Sequence, residues 1–254
     1  MDQSKLVIKF GGNEADDPNF LFGLVEAVQE LHDVQPVIVH GGGKEIARLQ
    51  AALNIVPQAI EGLRVTDSQS LDVAEMVLSG LVNKRLVARL VSAGVPAIGL
   101  SGVDGGLIRV EKMVHPAGDL GWVGRVVDVN TTFLGSLLER GVVAVISPIS
   151  LGLDGHTYNV NADHAAVAVA VALKAAQLVF VSNVPGVLID GQVVACATAR
   201  QAEEWIASGQ VHGGMVPKVR SALEGVAAGI REVRITNLAG LRAGTGTTFV
   251  PGTE

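Results

Sequence analysis

The chain has 254 residues, 48% hydrophobic and only 4% aromatic, with 31 glycines and a formal net charge of −6. That apolar content supplies an ample core and excludes disorder, while the acidic balance lacks the basic footprint that general nucleic-acid binding requires. One cysteine, Cys196, excludes an internal disulfide framework and fits a reducing cytoplasm; it reads as a small buried hydrophobe.

Two apolar runs near the start each end in glycines. Leu6-Val7-Ile8-Lys9-Phe10 leads into Gly11-Gly12, and Val37-Ile38-Val39-His40 leads into Gly41-Gly42-Gly43. Strands are expected near 5–10 and 36–40 and helices near 19–32 and 43–53, a βαβ pattern with both glycine loops at the carboxyl edge of one parallel sheet. Bare backbone N–H groups beside a helix start suit an anion, although neither loop matches a P-loop or a G-x-G-x-x-G fingerprint. Asp2 and Lys5 precede the first strand with no apolar signal core, and the richest apolar run, 165–173, falls short of the roughly 20 residues of a membrane span.

A helical region at 68–93, opened by Thr66-Asp67 as caps, leads to a strand at 96–100. Short alternating runs at 107–110 and 122–127 predict hairpins beside the main sheet, forming a rim or lid over the substrate. A helix near 130–140, a strand at 142–147, a turn at Asp154-Gly155, a helix at 163–175 and a strand at 177–182 follow. The remainder reads as a hairpin around Asp190-Gly191, helices near 198–208 and after Pro217, and strands at 232–236 and 247–250. No low-complexity linker or internal repeat interrupts the pattern, so residues 1–254 form one α/β three-layer domain, with lobes of 1–170 and 171–254.

Several residues could carry chemistry. Lys9 is a cation inside an apolar strand, where burial costs several kcal/mol unless an anion compensates; the alternative is an edge lysine that snorkels to water. His40 reads as a hydrogen-bonded structural histidine. Arg64 in Gly62-Leu63-Arg64-Val65-Thr66-Asp67 is either a bidentate clamp for a substrate carboxylate or a surface partner of Asp67. Asp163 in Asn159-Val160-Asn161-Ala162-Asp163 is either a helix N-cap or a carboxylate that positions lysines. Lys218, in the first turn after Pro217, opposes the helix dipole and is either a surface lysine or one delivered to an anion by Gly213-Gly214-Met215-Val216.

Taken together and in order, Val7-Ile8-Lys9-Phe10-Gly11-Gly12, His40-Gly41-Gly42-Gly43, the Gly62–Asp67 and Asn159–Asp163 segments and Gly214-Met215-Val216-Pro217-Lys218 resemble the amino-acid kinase family across essentially the whole chain. The likeness is strongest to the branch that phosphorylates N-acetyl-L-glutamate. It implies an open αβα sandwich with a mainly parallel sheet, the acceptor in the N-terminal lobe and ATP in the C-terminal lobe. By position, Lys9 and Lys218 would neutralise the transferring phosphoryl group, and Asp163 would orient both lysines. Gly11, Gly12, Gly42 and Gly43 would donate N–H groups to phosphate oxygens, and Gly42, Gly43, Arg64 and Asn159 would hold the acceptor. Asn183, Val184, Gly186, Val187, Leu188, Gly214, Met215 and Lys218 would contact the nucleotide, with Asn183 standing where many members carry aspartate. No protein metal site is implied; Mg²⁺ would ride on the ATP phosphates. A γ-carboxylate with a pKa of about 4.3 is already ionised at neutral pH and needs no general base.

Two rivals stand beside this reading. A related kinase acts on aminoadipate linked to a carrier protein, and 81–87 and 182–186 resemble it, whereas the Gly62–Asp67 loop favours acetylglutamate. The other rival is a non-catalytic sensor of the same fold, which would not need Lys9, Asp163 and Lys218 together. With few residues ahead of the first strand, the resemblance implies a cytoplasmic homodimer, insensitive to arginine.

Overall fold

The computed structural model describes residues 4–11, 17–31, 33–61 and 63–251. Gly12, Gly62 and Asp2, named above, lie outside the described residues. The first half of the chain contains β1 (Ser4–Phe10), α1 (Pro18–Gln29), β2 (Val34–His40), α2 (Gly43–Ala52) and a small hairpin of β3 (Gln58–Ile60) and β4 (Leu63–Val65). It continues through α3 (Ser68–Glu75), a π-helical stretch Met76–Val82 and α4 (Asn83–Ser92) to β5 (Ala97–Gly102), β6 (Ile108–His115), β7 (Gly118–Val129) and α5 (Thr131–Leu138). The second half adds β8 (Val143–Gly152), β9 (Thr157–Asn159), α6 (Ala162–Ala172), β10 (Gln177–Val181), β11 (Leu188–Ile189), β12 (Gln192–Val193) and β13 (Cys196–Thr198). It ends with α7 (Ala199–Ala207), α8 (Met215–Ala227), β14 (Glu232–Thr236), α9 (Leu238–Ala243) and β15 (Thr247–Val250).

Strands β14, β10, β1, β2, β8 and β5 lie side by side and all parallel, with β15 antiparallel at one flank. The chain runs outward from β1 to β2 on one side, and the later strands β10 and β14 fill the other. The carboxyl ends of β1 and β10 therefore flank a topological switch point, where open sheets bind ligands. Alternation along β1 splits its side chains between two cores: Leu6, Ile8 and Phe10 pack towards α1, α4 and α9, and Val7 packs towards α6 and α8. Lys9 shares the face of Val7.

The sequence expectations hold for the parallel sheet and for most helices. The expected rim hairpin is β6 with β7, joined to the sheet where the far end of β8 pairs with β6 and β9. Several features depart from expectation. The region 68–93 is not one regular helix, because the π-helical stretch widens its middle and turns Val77, Leu78 and Val82 inward. The β3–β4 hairpin and the short α9 were not anticipated. Cys196 is exposed rather than buried, because β13 pairs only with β15 at the sheet margin.

His40 closes β2 with its ring fully buried. Its Nδ1 lies 3.1 Å from the Gly41 carbonyl, to which it donates, and its Nε2 accepts from Asn83 Nδ2 at 3.2 Å. The same amide donates to the Val145 carbonyl at 2.9 Å, so Asn83 ties α4 to the sheet. Burial, only partly offset by the Gly41 carbonyl, lowers the pKa of His40 from 6.5 to about 4. Between those values the unfolded chain takes up a proton that the folded one refuses. Stability is therefore complete above pH 6.5 and falls by roughly 3 kcal/mol as pH drops to about 4. Imidazole NMR is expected to place the His40 titration near pH 4, with urea unfolding losing free energy over the same window; a midpoint near 6.5 would contradict this environment.

Candidate active site

Lys9 Nζ forms an ion pair with Asp163 Oδ1, and both side chains are almost wholly buried, 8% and 13% exposed. Neither of the bland alternatives survives, since Lys9 does not reach water and Asp163 is not the N-cap of α6. The cap is Asn161, whose side-chain oxygen accepts from the Asp163 N–H at 2.8 Å. With the helix end satisfied two residues earlier, the Asp163 carboxylate in the first turn is left for the lysine. Small residues Ala165, Ala166 and Ala170 bring α6 close to β1.

The two glycine loops are joined by main chain: the Gly41 N–H donates to the Phe10 carbonyl at 3.0 Å. Beyond it, Gly42 opens α2 with no side-chain cap. First-turn N–H groups there face a cavity of about 300 Å³ lined by Gly41, Gly42, Gly43, Arg64 and Asn159. A Cβ on Gly42 would lie 2.7 Å from Leu78 Cδ2, whereas one on Gly43 would meet nothing within 4 Å. Gly42 is bare because the π-helical stretch presses on it through Leu78, Val82 and Val77; Gly43 is bare towards open space.

Arg64 enters the cavity from β4, half-buried, with no hydrogen-bond or ion-pair partner among the described residues. The surface pair with Asp67 does not form, because Asp67 caps α3 by accepting from the Ser70 N–H at 2.7 Å. Burial alone pulls the Arg64 pKa below its usual range, as expected of a cation withdrawn from water with no acid to meet it. Asn159, on β9, donates to Thr66 Oγ1 at 3.3 Å and lines the same cavity. Sequence reasoning missed the apolar wall of Leu78, Met113 and Val160, and also His164. Met113 reaches it from the rim hairpin, outside the alternating runs that predicted that hairpin, and Leu78 from the π-helical turn, which leaves no local sequence signal.

The expected nucleotide residues sit on the other side of the switch point. Asn183 accepts from Ser182 Oγ at 3.3 Å just past β10. Val187 is fully buried; its N–H donates to Thr247 Oγ1 at 2.8 Å and its carbonyl accepts from the Val194 N–H at 3.0 Å, so both of its backbone groups are already engaged. Leu188, on β11, is exposed, and Gly186 packs closely against Thr247 and Val193. Gly214 and Met215 start α8, and Lys218 Nζ turns back to donate to the Gly214 carbonyl at 3.3 Å. The structure brings Asp163 to Lys9; Lys218 instead ends on that carbonyl, on a helix packed against α6.

Breaking a buried ion pair strands the remaining charge, at a cost of about 3 kcal/mol or more. Asp163→Asn is expected to lower unfolding stability by that amount, and Lys9→Met combined with it should recover much of the loss. Urea unfolding of the single and double variants checks this; simple additivity would refute the pairing.

The arrangement places a buried, paired lysine, bare glycine backbone and a guanidinium with no partner among the described residues at one sheet edge, a combination suited to gathering two anionic reactants. The sequence matches the Amino acid kinase family over residues 4–237. It is 53% identical to the acetylglutamate kinase of Roseiflexus sp. strain RS-1, over 100% of this chain and 96% of that protein. It is 47% identical to the acetylglutamate kinase of Geobacillus kaustophilus, over 91% and 89% respectively. Among solved structures, one from Streptococcus mutans UA159 superposes with a TM-score of 0.83 at 33% identity, covering 97% of this chain and 98% of that one. A Giardia carbamate kinase, at 15% identity and a TM-score of 0.72 over 99% of this chain and 100% of its own, shares the fold. On both sequence and architecture, the chain belongs to the amino acid kinase family.

Proposed function

We propose that the chain transfers the γ-phosphoryl group of ATP to the γ-carboxylate of N-acetyl-L-glutamate, yielding N-acetyl-L-glutamyl 5-phosphate and ADP, as a step of arginine biosynthesis. The observation that carries the reading is Arg64, a half-buried guanidinium with no acid beside it among the described residues, lining a cavity of about 300 Å³ beside bare glycine backbone. A planar fork of N–H donors matches the α-carboxylate of the acceptor, Asn159 is within the same cavity for its amide, and Leu78 and Met113 suit the acetyl methyl. Full-length likeness to acetylglutamate kinases supports the same acceptor.

The uncapped start of α2, with Gly43 bare towards open space, fits phosphate oxygens, and Gly11 lies just past the end of the adjacent strand. Bound ATP, with Mg²⁺ on its phosphates, supplies the electrophilic phosphorus and the leaving ADP. The chain's own groups manage charge. Lys9, fixed by Asp163, meets the negative charge on the transferring group, and the first-turn N–H groups of α2 share it. Lys218, held by a neutral carbonyl, can exchange that partner for an anion. The acceptor oxygen attacks already ionised, so the site needs no general base. In this reading the lobe 1–170 binds acceptor and forms a cytoplasmic homodimer. The lobe 171–254 binds ATP through Asn183, Val184, Gly186, Val187, Leu188, Gly214 and Met215.

Incubation with ATP, Mg²⁺, N-acetyl-L-glutamate and hydroxylamine is expected to accumulate a hydroxamate; none above a control lacking the acceptor overturns the assignment. In steady-state kinetics, Lys218→Ala should lower kcat by roughly 100-fold with little change in acceptor KM. Arg64→Ala should instead raise acceptor KM about tenfold or more, the loss of a charge-assisted bidentate contact. The opposite pattern would exchange the two roles.

A further inference from the structure

Lys9, Asp163 and Lys218 belong to β1, α6 and α8, and the opposite ends of those three elements also converge. At the amino edge of the sheet, Lys5 of β1, Lys174 just beyond α6 and Arg231 just beyond α8 line a pocket of about 430 Å³, together with Ser4 and the small residues Ala175, Ala176 and Gly229. Among the described residues, no acidic side chain lines it, and none of the three cations has a hydrogen-bond or ion-pair partner. This concentration of unpaired positive charge occurs in a chain whose net charge is −6.

Two helix carboxyl ends point here, and such ends attract cations. Their closure is nevertheless supplied by the main chain. After α6, the Lys174 N–H donates to the Val171 carbonyl at 3.0 Å and the Ala175 N–H to the Ala170 carbonyl at 2.8 Å. After α8, the Gly229 N–H donates to the Val226 carbonyl at 3.0 Å and the Ile230 N–H to the Gly225 carbonyl at 3.1 Å. Both are Schellman closures, which place one residue in the left-handed region. The second uses Gly229 at φ +92°, and the first uses Lys174 at φ +51°. A lysine there carries a conformational cost that glycine would not. The backbone gives no reason for it, whereas the pocket does. Partial charges of about −0.5 at each helix end leave three cations with a net charge of about +2.

We propose that this pocket is a binding site for a small multivalent anion, phosphate or polycarboxylate, gripped by Lys5, Lys174 and Arg231. It lies at the edge of the sheet opposite the acceptor cavity and is independent of the function assigned to that cavity. The full chain, ¹⁵N-labelled and titrated at low salt with inorganic phosphate and, in a separate arm, with citrate, tests it. Saturable shifts are expected at the amides of Lys5, Lys174 and Arg231. Saturation in one arm alone identifies that anion class as the ligand. K5Q/K174Q/R231Q should weaken binding at least tenfold. K174G, which suits the turn, should match or raise the melting temperature while weakening binding about threefold. Shifts confined to Gly41–Gly43, or an affinity unchanged in the triple variant, would overturn the proposal.

Discussion

A lysine buried near the carboxyl end of the central strand is tolerable only with a carboxylate beside it, and much of the molecule is arranged to deliver one. Lys9 lies on the face of β1 that looks towards α6, and Asp163 in the first turn of that helix supplies the counter-charge. For the two to meet, α6 must approach the sheet closely and in one register. Its alanine-rich inner face allows the approach, and Asn161 closes the helix start without drawing on Asp163. The ion pair is therefore both a constraint on packing and the charged centre of the site.

A second buried polar group, one strand away, is handled in the opposite manner. Phe10 and His40 are register partners across β1 and β2, so His40 sits beside the strand end that carries Lys9. Its neighbours are an amide and a carbonyl, with no carboxylate, and it abandons its charge. Lys9 instead has the Asp163 carboxylate beside it. Adjacent strand ends thus hold an ion pair and a neutral ring.

Strand-to-glycine transitions, the βαβ order and the burial of Lys9 were legible from local pattern, because each depends on residues within one element. Three choices were not. Whether Asp163 capped α6 or met a lysine depended on a distant partner, and Lys9 is remote in sequence. Whether Arg64 paired with Asp67 depended on the start of α3 claiming that carboxylate first. The cavity wall depended on a π-helical turn that moves Leu78 against Gly42, and periodicity counted at 3.6 residues per turn cannot register it. The exposure of Cys196 likewise follows from its strand being marginal, a property of topology rather than of the residue.

The bond from the Gly41 N–H to the Phe10 carbonyl links the two glycine loops without using any side chain. Mutation reaches it only by removing the N–H, which of the natural residues proline alone does. Sequence can drift widely around both loops while their spacing is inherited unchanged. Descendants of this chain could therefore exchange acceptor specificity through Arg64 and the rim hairpin without rebuilding the floor on which a phosphoryl group would be received.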